Sequence, residues 1–278
     1  MKAGFIPGTS TFTDAEDPKP AVVLTLPLSA ADESSVARFK EGLLLEVRNA
    51  GANEAPLHAF SIQPTLVRAA TKKLLCLDMD STLINQEVID EMAGVFGFQN
   101  RVAEITEAAM QGKLDFRNAL QARVALFKGL PRARTLSILN RLEVSPGGEA
   151  LLQTAKQLGM KTAVVSGGFD FILEPFQRRL GLDHACGNSL PLDPNEAFLG
   201  TVNEPIVDAA RKRELVRGFQ VTHGIRTEET ITVGDGANDA LMMEAAGISV
   251  SFCGKPALAK ACNSFILDRN LFWIKHLL

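Results

Sequence analysis

Asp78 and Asp80, one residue apart in Asp78-Met79-Asp80-Ser81-Thr82, place two carboxylates at the end of an apolar run. A calcium loop also begins Asp-x-Asp. Here, however, the sixth position is Leu83 where that loop needs Gly, and the twelfth is Ile89 where it needs Glu. A second acidic cluster, Gly234-Asp235-Gly236-Ala237-Asn238-Asp239, closes another apolar run. It departs from a dinucleotide fingerprint, because Asp239 replaces the last glycine and its charge would repel a pyrophosphate. Two groups of carboxylates on one edge instead predict a Mg2+ site, since hard cations take oxygen ligands and offset the repulsion between the acids.

Ser166-Gly167-Gly168 follows the run KTAVV and offers a hydroxyl and exposed amides at the start of a predicted helix, a geometry suited to oxyanions. A serine-hydrolase elbow would need Gly at position 164, where the chain has Val164. Lys212 falls on a predicted helix ahead of the last acidic cluster. An isolated lysine there would be a solvated charge, but in order after Ser166 it is a candidate phosphate clamp.

Such groups can meet only if the elements carrying them end together. KLLCLD, KTAVVS, TITVGD and ISVSF are short apolar runs closing in small or acidic residues, as buried parallel strands do. Amphipathic stretches at Gly148 to Leu158, Phe171 to Leu180 and Asp208 to Phe219 alternate with them. The pattern predicts an α/β fold: a Rossmann-like parallel sheet with helices on both faces. Ligands of such sheets sit at the carboxyl ends of the strands, where Asp78, Ser166 and Asp235 fall. Residues 86–145 lack strand-like runs and repeat apolar positions at helical spacing. Breaks at Gly97, Gly112, Gly129 with Pro131, and Pro146 with Gly147 divide them into about four helices. They are expected to form a small helical cap inserted after the first core strand, with 73–85 and 146–278 as the catalytic core.

Residues 1–72 are expected to be an N-terminal extension. The first twenty residues, rich in Gly, Pro, Thr and Asp, are expected to be irregular. The run AVVLTLPL from Ala21, an amphipathic stretch from Ala30 to Ala50 and an alternating patch from His58 to Ile62 suggest a small β-α-β element, to which no role is assigned.

In order, Asp78-Met79-Asp80-Ser81-Thr82, Ser166-Gly167-Gly168, Lys212 and Gly234 to Asp239 resemble the four motifs of the haloacid dehalogenase (HAD) superfamily. The resemblance runs from Lys73 to the C-terminal strands. Within that superfamily, DMDSTLINQEVIDEMA, LDFRNALQARVALFKGL and VVSGGF are similar to the phosphoserine phosphatase family. The resemblance implies Asp78 as nucleophile and Asp80 as general acid and base. It further implies Mg2+ held by the Asp78 side chain, the Asp80 backbone carbonyl and Asp235. Phosphate would be bound by Ser166, Gly167 and Lys212, with Asn238 at the substrate and Asp239 in support. In the cap it places substrate recognition on Glu87, Phe116 and Arg123, with Met110 as an apolar neighbour. Arg123 can hold a carboxylate with a bidentate fork, Glu87 can accept from an ammonium, and Phe116 can shield both contacts from water. The implied reaction is hydrolysis of O-phosphoserine to serine and phosphate, the last step of serine biosynthesis. A phosphatase or phosphotransferase acting on another small phosphate ester shares the same motifs.

The 278 residues, 46% hydrophobic, suffice for a large core, and a formal charge of −3 gives no basic excess to attract nucleic acid or an anionic membrane. The expected partner is a small phosphomonoester. No apolar run reaches the roughly 18 residues needed to span a bilayer. Cys76, Cys186, Cys253 and Cys262 form no CxxC pair, so a cytoplasmic protein with free thiols is expected. Nothing in the sequence distinguishes a monomer from a homodimer. A dehalogenase would not need Asp80, and an amino-acid sensor without catalysis would need neither Asp78 nor Asp80.

Overall fold

The computed structural model describes residues 8–12, 21–25, 40–42 and 59–278. It comprises two compact units, Met1–Leu57 and His58–Leu278. In the first, β1 (Gly8–Phe12) pairs antiparallel with β2 (Ala21–Thr25), Gly8 facing Thr25 and Phe12 facing Ala21. The opening residues were expected to be irregular. Gly8–Phe12 reads GTSTF, whose Thr residues favour a strand without supplying an apolar run to reveal it. The amphipathic stretch from Ala30 to Ala50 lies outside the described residues except for 40–42.

The second unit is built on a seven-stranded sheet. Its strands are β3 (Ala59–Ser61), β4 (Leu74–Leu77), β5 (Lys161–Phe169), β6 (His184–Asn188), β7 (Thr230–Gly234), β8 (Ile248–Phe252) and β9 (Ser264–Ile266), in the spatial order β3-β9-β8-β7-β4-β5-β6. Every pairing is parallel except β3 with β9. The four strands predicted from apolar runs are β4, β5, β7 and β8. Leu74, Leu75, Cys76 and Leu77 on β4 are all fully buried, and burying each leucine contributes roughly 1.5–3 kcal/mol. The sheet begins at Ala59, ahead of the expected boundary at Lys73. β3 is a half-buried edge strand of three residues, too short to show a period.

Between β4 and β5 the chain forms helices Val88–Phe96, Gln99–Met110, Phe116–Ala125 and a short turn of helix at Arg132–Thr135. Their breaks fall where the glycines predict, with Gly97, Gly112 and Gly129 at φ of 77°, 73° and 76°. Gly147 is stricter. At φ 76° it lies so close to the C-terminal segment that a Cβ would sit 2.5 Å from the Phe272 amide nitrogen. Helices Gly148–Gln157, Asp170–Leu180 and Ala209–His223 link the later strands. Among the described residues no helix is long and apolar enough to cross a membrane. None of the four cysteines forms a disulfide.

Candidate active site

β4 and β7 are neighbours, so their ends bring Asp78 and Asp235 to one edge although the two lie far apart in sequence. Asp78 is 3% exposed, and its Oδ1 accepts from the Met79 amide at 2.7 Å and from Lys212 Nζ at 2.7 Å. With both contacts on Oδ1, Oδ2 is the oxygen left to face a ligand. The same Lys212 Nζ lies 2.7 Å from Asp239 Oδ1. Asp239 Oδ2 accepts from the amides of Asp235 and Gly236, each at 3.1 Å. Glycine is required at Gly234, because a Cβ there would lie 2.8 Å from the Asp239 Cβ.

Three carboxylates cluster here: Asp78 and Asp239 share Lys212, and Asp235 Oδ2 lies 3.6 Å from Lys255 Nζ. Burial, then the charge of Asp239, push the Asp78 carboxyl well above the usual range, against the pull of Lys212. Burial also raises Asp235, with Lys255 opposing. Burial works against the charge on Lys212, but Asp239 and Asp78 outweigh it and hold the amine above its ordinary value. Oxygens of Asp78, Asp235 and Asp239 all lie within 4.8 Å of one another. This excess of clustered hard-donor charge fits a divalent cation. Asp239 already spends both oxygens on Lys212 and two amides, so it suits the task of fixing the cluster. Asp78 and Asp235 keep donor capacity.

Asp80 turns away from that cluster. Its Oδ1 accepts from the Val88 amide at 2.7 Å and its Oδ2 from Ser166 Oγ at 3.1 Å. Burial and the nearby charge of Glu87 push its carboxyl up to about 6. The turn between Asp80 and Thr82 requires Ser81 at φ 54°, an uncommon conformation for a residue with a Cβ. Ser81 Oγ donates to Glu87 Oε1 at 2.8 Å, and Arg269 Nη2 donates to the Ser81 carbonyl at 3.0 Å. Ser166 is fully buried within β5, which continues through Gly167 and Gly168 to Phe169, so the helix expected at this motif begins only at Asp170; the Ser166 Oγ accepts from the Gly168 amide at 2.8 Å. A Cβ on Gly168 would lie 3.0 Å from both Asp80 Oδ2 and Ser166 Oγ.

The inserted helices close over this edge through Phe116, whose ring would come within 3.0 Å of a Cβ on Gly167. Arg123 is half-buried. Burial lowers its pKa, against the raising charges of Asp90, Glu87 and Asp80. Asn238 is half-buried beside Gly236. Met110 is the exception: it ends its helix with a side chain 80% exposed, so it is not packed as an apolar pocket neighbour would be. Asn188 and Arg269 were not singled out from the sequence, where they stand outside the quoted segments, and neither was Asp90, although it lies within DMDSTLINQEVIDEMA.

A family model described as haloacid dehalogenase-like hydrolase matches residues 72–247, and the chain belongs to that family. Curated relatives it matches include phosphoserine phosphatases. It is 43% identical over 206 residues to that of Mycobacterium tuberculosis, covering 73% of this chain and 50% of that protein. It is 38% identical over 200 residues to that of Methanocaldococcus jannaschii, covering 72% of this chain and 94% of that protein. The chain thus spans only half the length of the first relative and nearly all of the second. A solved structure described as a phospho-aspartyl intermediate analogue of phosphoserine phosphatase is 37% identical, with a TM-score of 0.70, covering 75% of this chain and all of that one.

Proposed function

We propose that this chain hydrolyses O-phosphoserine to serine and phosphate through a phosphoryl group carried on Asp78. The observation that carries this reading is the pairing of two differently held carboxylates under a charged cap. Asp78 is fixed by Lys212 at 2.7 Å, while Asp80 bonds to Ser166 and is pushed up to about 6. Asp78 Oδ2 attacks phosphorus in line and the bond to the serine oxygen breaks. The Asp80 carboxyl, pushed up to about 6, gives its proton to that oxygen and then takes one from the water that attacks the aspartyl-phosphate. Asp78 leaves as a carboxylate and phosphate is released. Ser166, the Gly167 amide and Lys212 hold the phosphoryl oxygens, and Asn238 completes the substrate contacts. Asp78, Asp235 and the Asp80 carbonyl would hold Mg2+, which when bound offsets the repulsion between the carboxylates and the incoming dianion.

Residues 86–145 serve as the cap over the core. Arg123 takes the substrate carboxylate, Glu87 the ammonium, and Phe116 covers both. The formal charge of −3 and cysteines outside disulfides support a small ester as partner in a reducing cytoplasm. Relatives named phosphoserine phosphatase support the same substrate, which would place the chain at the last step of serine biosynthesis. The test is a steady-state screen with Mg2+ of phosphoserine against phosphothreonine, phosphoethanolamine and sugar phosphates. Phosphoserine is expected to have the highest kcat/KM. A clear preference for a sugar phosphate, or transfer to an added alcohol outpacing phosphate release, would overturn the reading.

A further inference from the structure

Asn188 is 1% exposed at the end of β6, and no step above uses it. Its amide is committed at both ends: Nδ2 donates to the Gly167 carbonyl at 2.7 Å, and Oδ1 accepts from the Val207 amide at 2.8 Å. Both partners are consequential. The Gly167 carbonyl and the Gly168 N–H belong to one peptide group. That N–H donates to Ser166 Oγ at 2.8 Å, and the Ser166 hydroxyl donates to Asp80 Oδ2 at 3.1 Å. A continuous chain of hydrogen bonds thus runs from Asn188 through the peptide and Ser166 to Asp80, and each bond polarises the next. Glycine on both sides leaves this peptide little resistance to turning over, so its direction depends on what holds the carbonyl.

At the other end, Val207 precedes Asp208. Asp208 Oδ1 caps the following helix at the Arg211 amide, 2.9 Å away, and its carbonyl accepts from the Lys212 amide at 2.8 Å. One buried side chain therefore ties the Ser166–Gly168 stretch of β5 to the start of the helix that carries Lys212.

We propose that Asn188 is a positioning residue for phosphoryl transfer, locking the Gly167–Gly168 peptide in the orientation that aligns Ser166 with Asp80 and holding that stretch of β5 in register with Lys212. The proposal rests on the phosphatase reading but not on the leaving group.

The test compares wild type, Asn188→Asp and Asn188→Ala with phosphoserine and with p-nitrophenyl phosphate, alongside thermal melts of each protein. Asn188→Asp keeps the shape and the acceptor for Val207 but sets a carboxylate against the Gly167 carbonyl. Both folded variants are expected to lose about 10- to 100-fold in kcat on both substrates, with a much smaller change in KM. Asn188→Asp should lose at least as much as Asn188→Ala. Should the buried charge of Asn188→Asp prevent folding, Asn188→Ala decides. Retention of kcat within about twofold of wild type by a folded variant would overturn the proposal. So would a loss that lies in KM with kcat kept, since that is a binding effect. If wild type cleaves p-nitrophenyl phosphate but not phosphoserine, the substrate reading falls while kcat on p-nitrophenyl phosphate still tests Asn188.

Discussion

The two ends of the proposed amino-acid pocket can be separated by single residues. The proposal gives the carboxylate to Arg123 and the ammonium to Glu87, and phosphoethanolamine has the second group without the first. Arg123→Ala is expected to lower kcat/KM for phosphoserine by about 2 to 5 kcal/mol, part of it the unpaired carboxylate left behind, while phosphoethanolamine loses little. Glu87→Gln is expected to weaken both substrates. Equal losses on both substrates in Arg123→Ala would show that this arginine supports the cap or the phosphate instead. Asp78, Asp80, Ser166, Lys212 and Asp235 were legible in the sequence because each stands in a motif at a strand end or on a helix with a recognisable start. Asn188 was not. It ends HACGN, a strand with no apolar run, and its importance lies in two backbone partners that only the fold brings within reach.

Elements are joined at the opposite ends of the strands by Glu229. Its carboxylate lies 2.7 Å from Lys73 Nζ, and the Glu229 carbonyl accepts from the Lys73 amide at 2.8 Å, so it ties the entry of β4 to the entry of β7. The hydrogen bond from Lys73, then that from the Arg226 amide, hold the Glu229 carboxyl down at about 2. A depressed carboxyl stabilises the fold fully above its ordinary value, and the contribution fades as pH falls toward about 2. Glu229→Gln is expected to destabilise at pH near 7 by on the order of 1 kcal/mol, with the gap from wild type narrowing at about pH 3. Urea midpoints at the two pH values measure it, and a gap that widens in acid would contradict the assignment. The central strands β4, β5, β7 and β8 were legible because burial on both faces writes a continuous apolar run. β3 and β1 were not, because three half-buried residues and the polar GTSTF carry no such run.

Across the whole molecule, the parallel order of β5, β4 and β7 gathers at one edge groups that lie 86 residues apart, as Ser166 and Asp80 do, and the helices inserted after β4 bring Phe116 over them. Order along the chain foretold that gathering, since parallel strands of such a sheet present their carboxyl ends together. It did not foretell how the acids divide their work. Asp239 is consumed by Lys212 and two amides, while Asp80 turns toward Ser166, leaving Asp78 Oδ2 to react. The most direct test of that division is to quench the protein within milliseconds of mixing with radiolabelled phosphoserine and Mg2+, digest it, and map the labelled peptide. The account predicts acid-stable label on Asp78, absent in Asp78→Asn and absent after verified removal of the metal. Label on another residue, or turnover by Asp78→Asn near the wild-type rate, would contradict it.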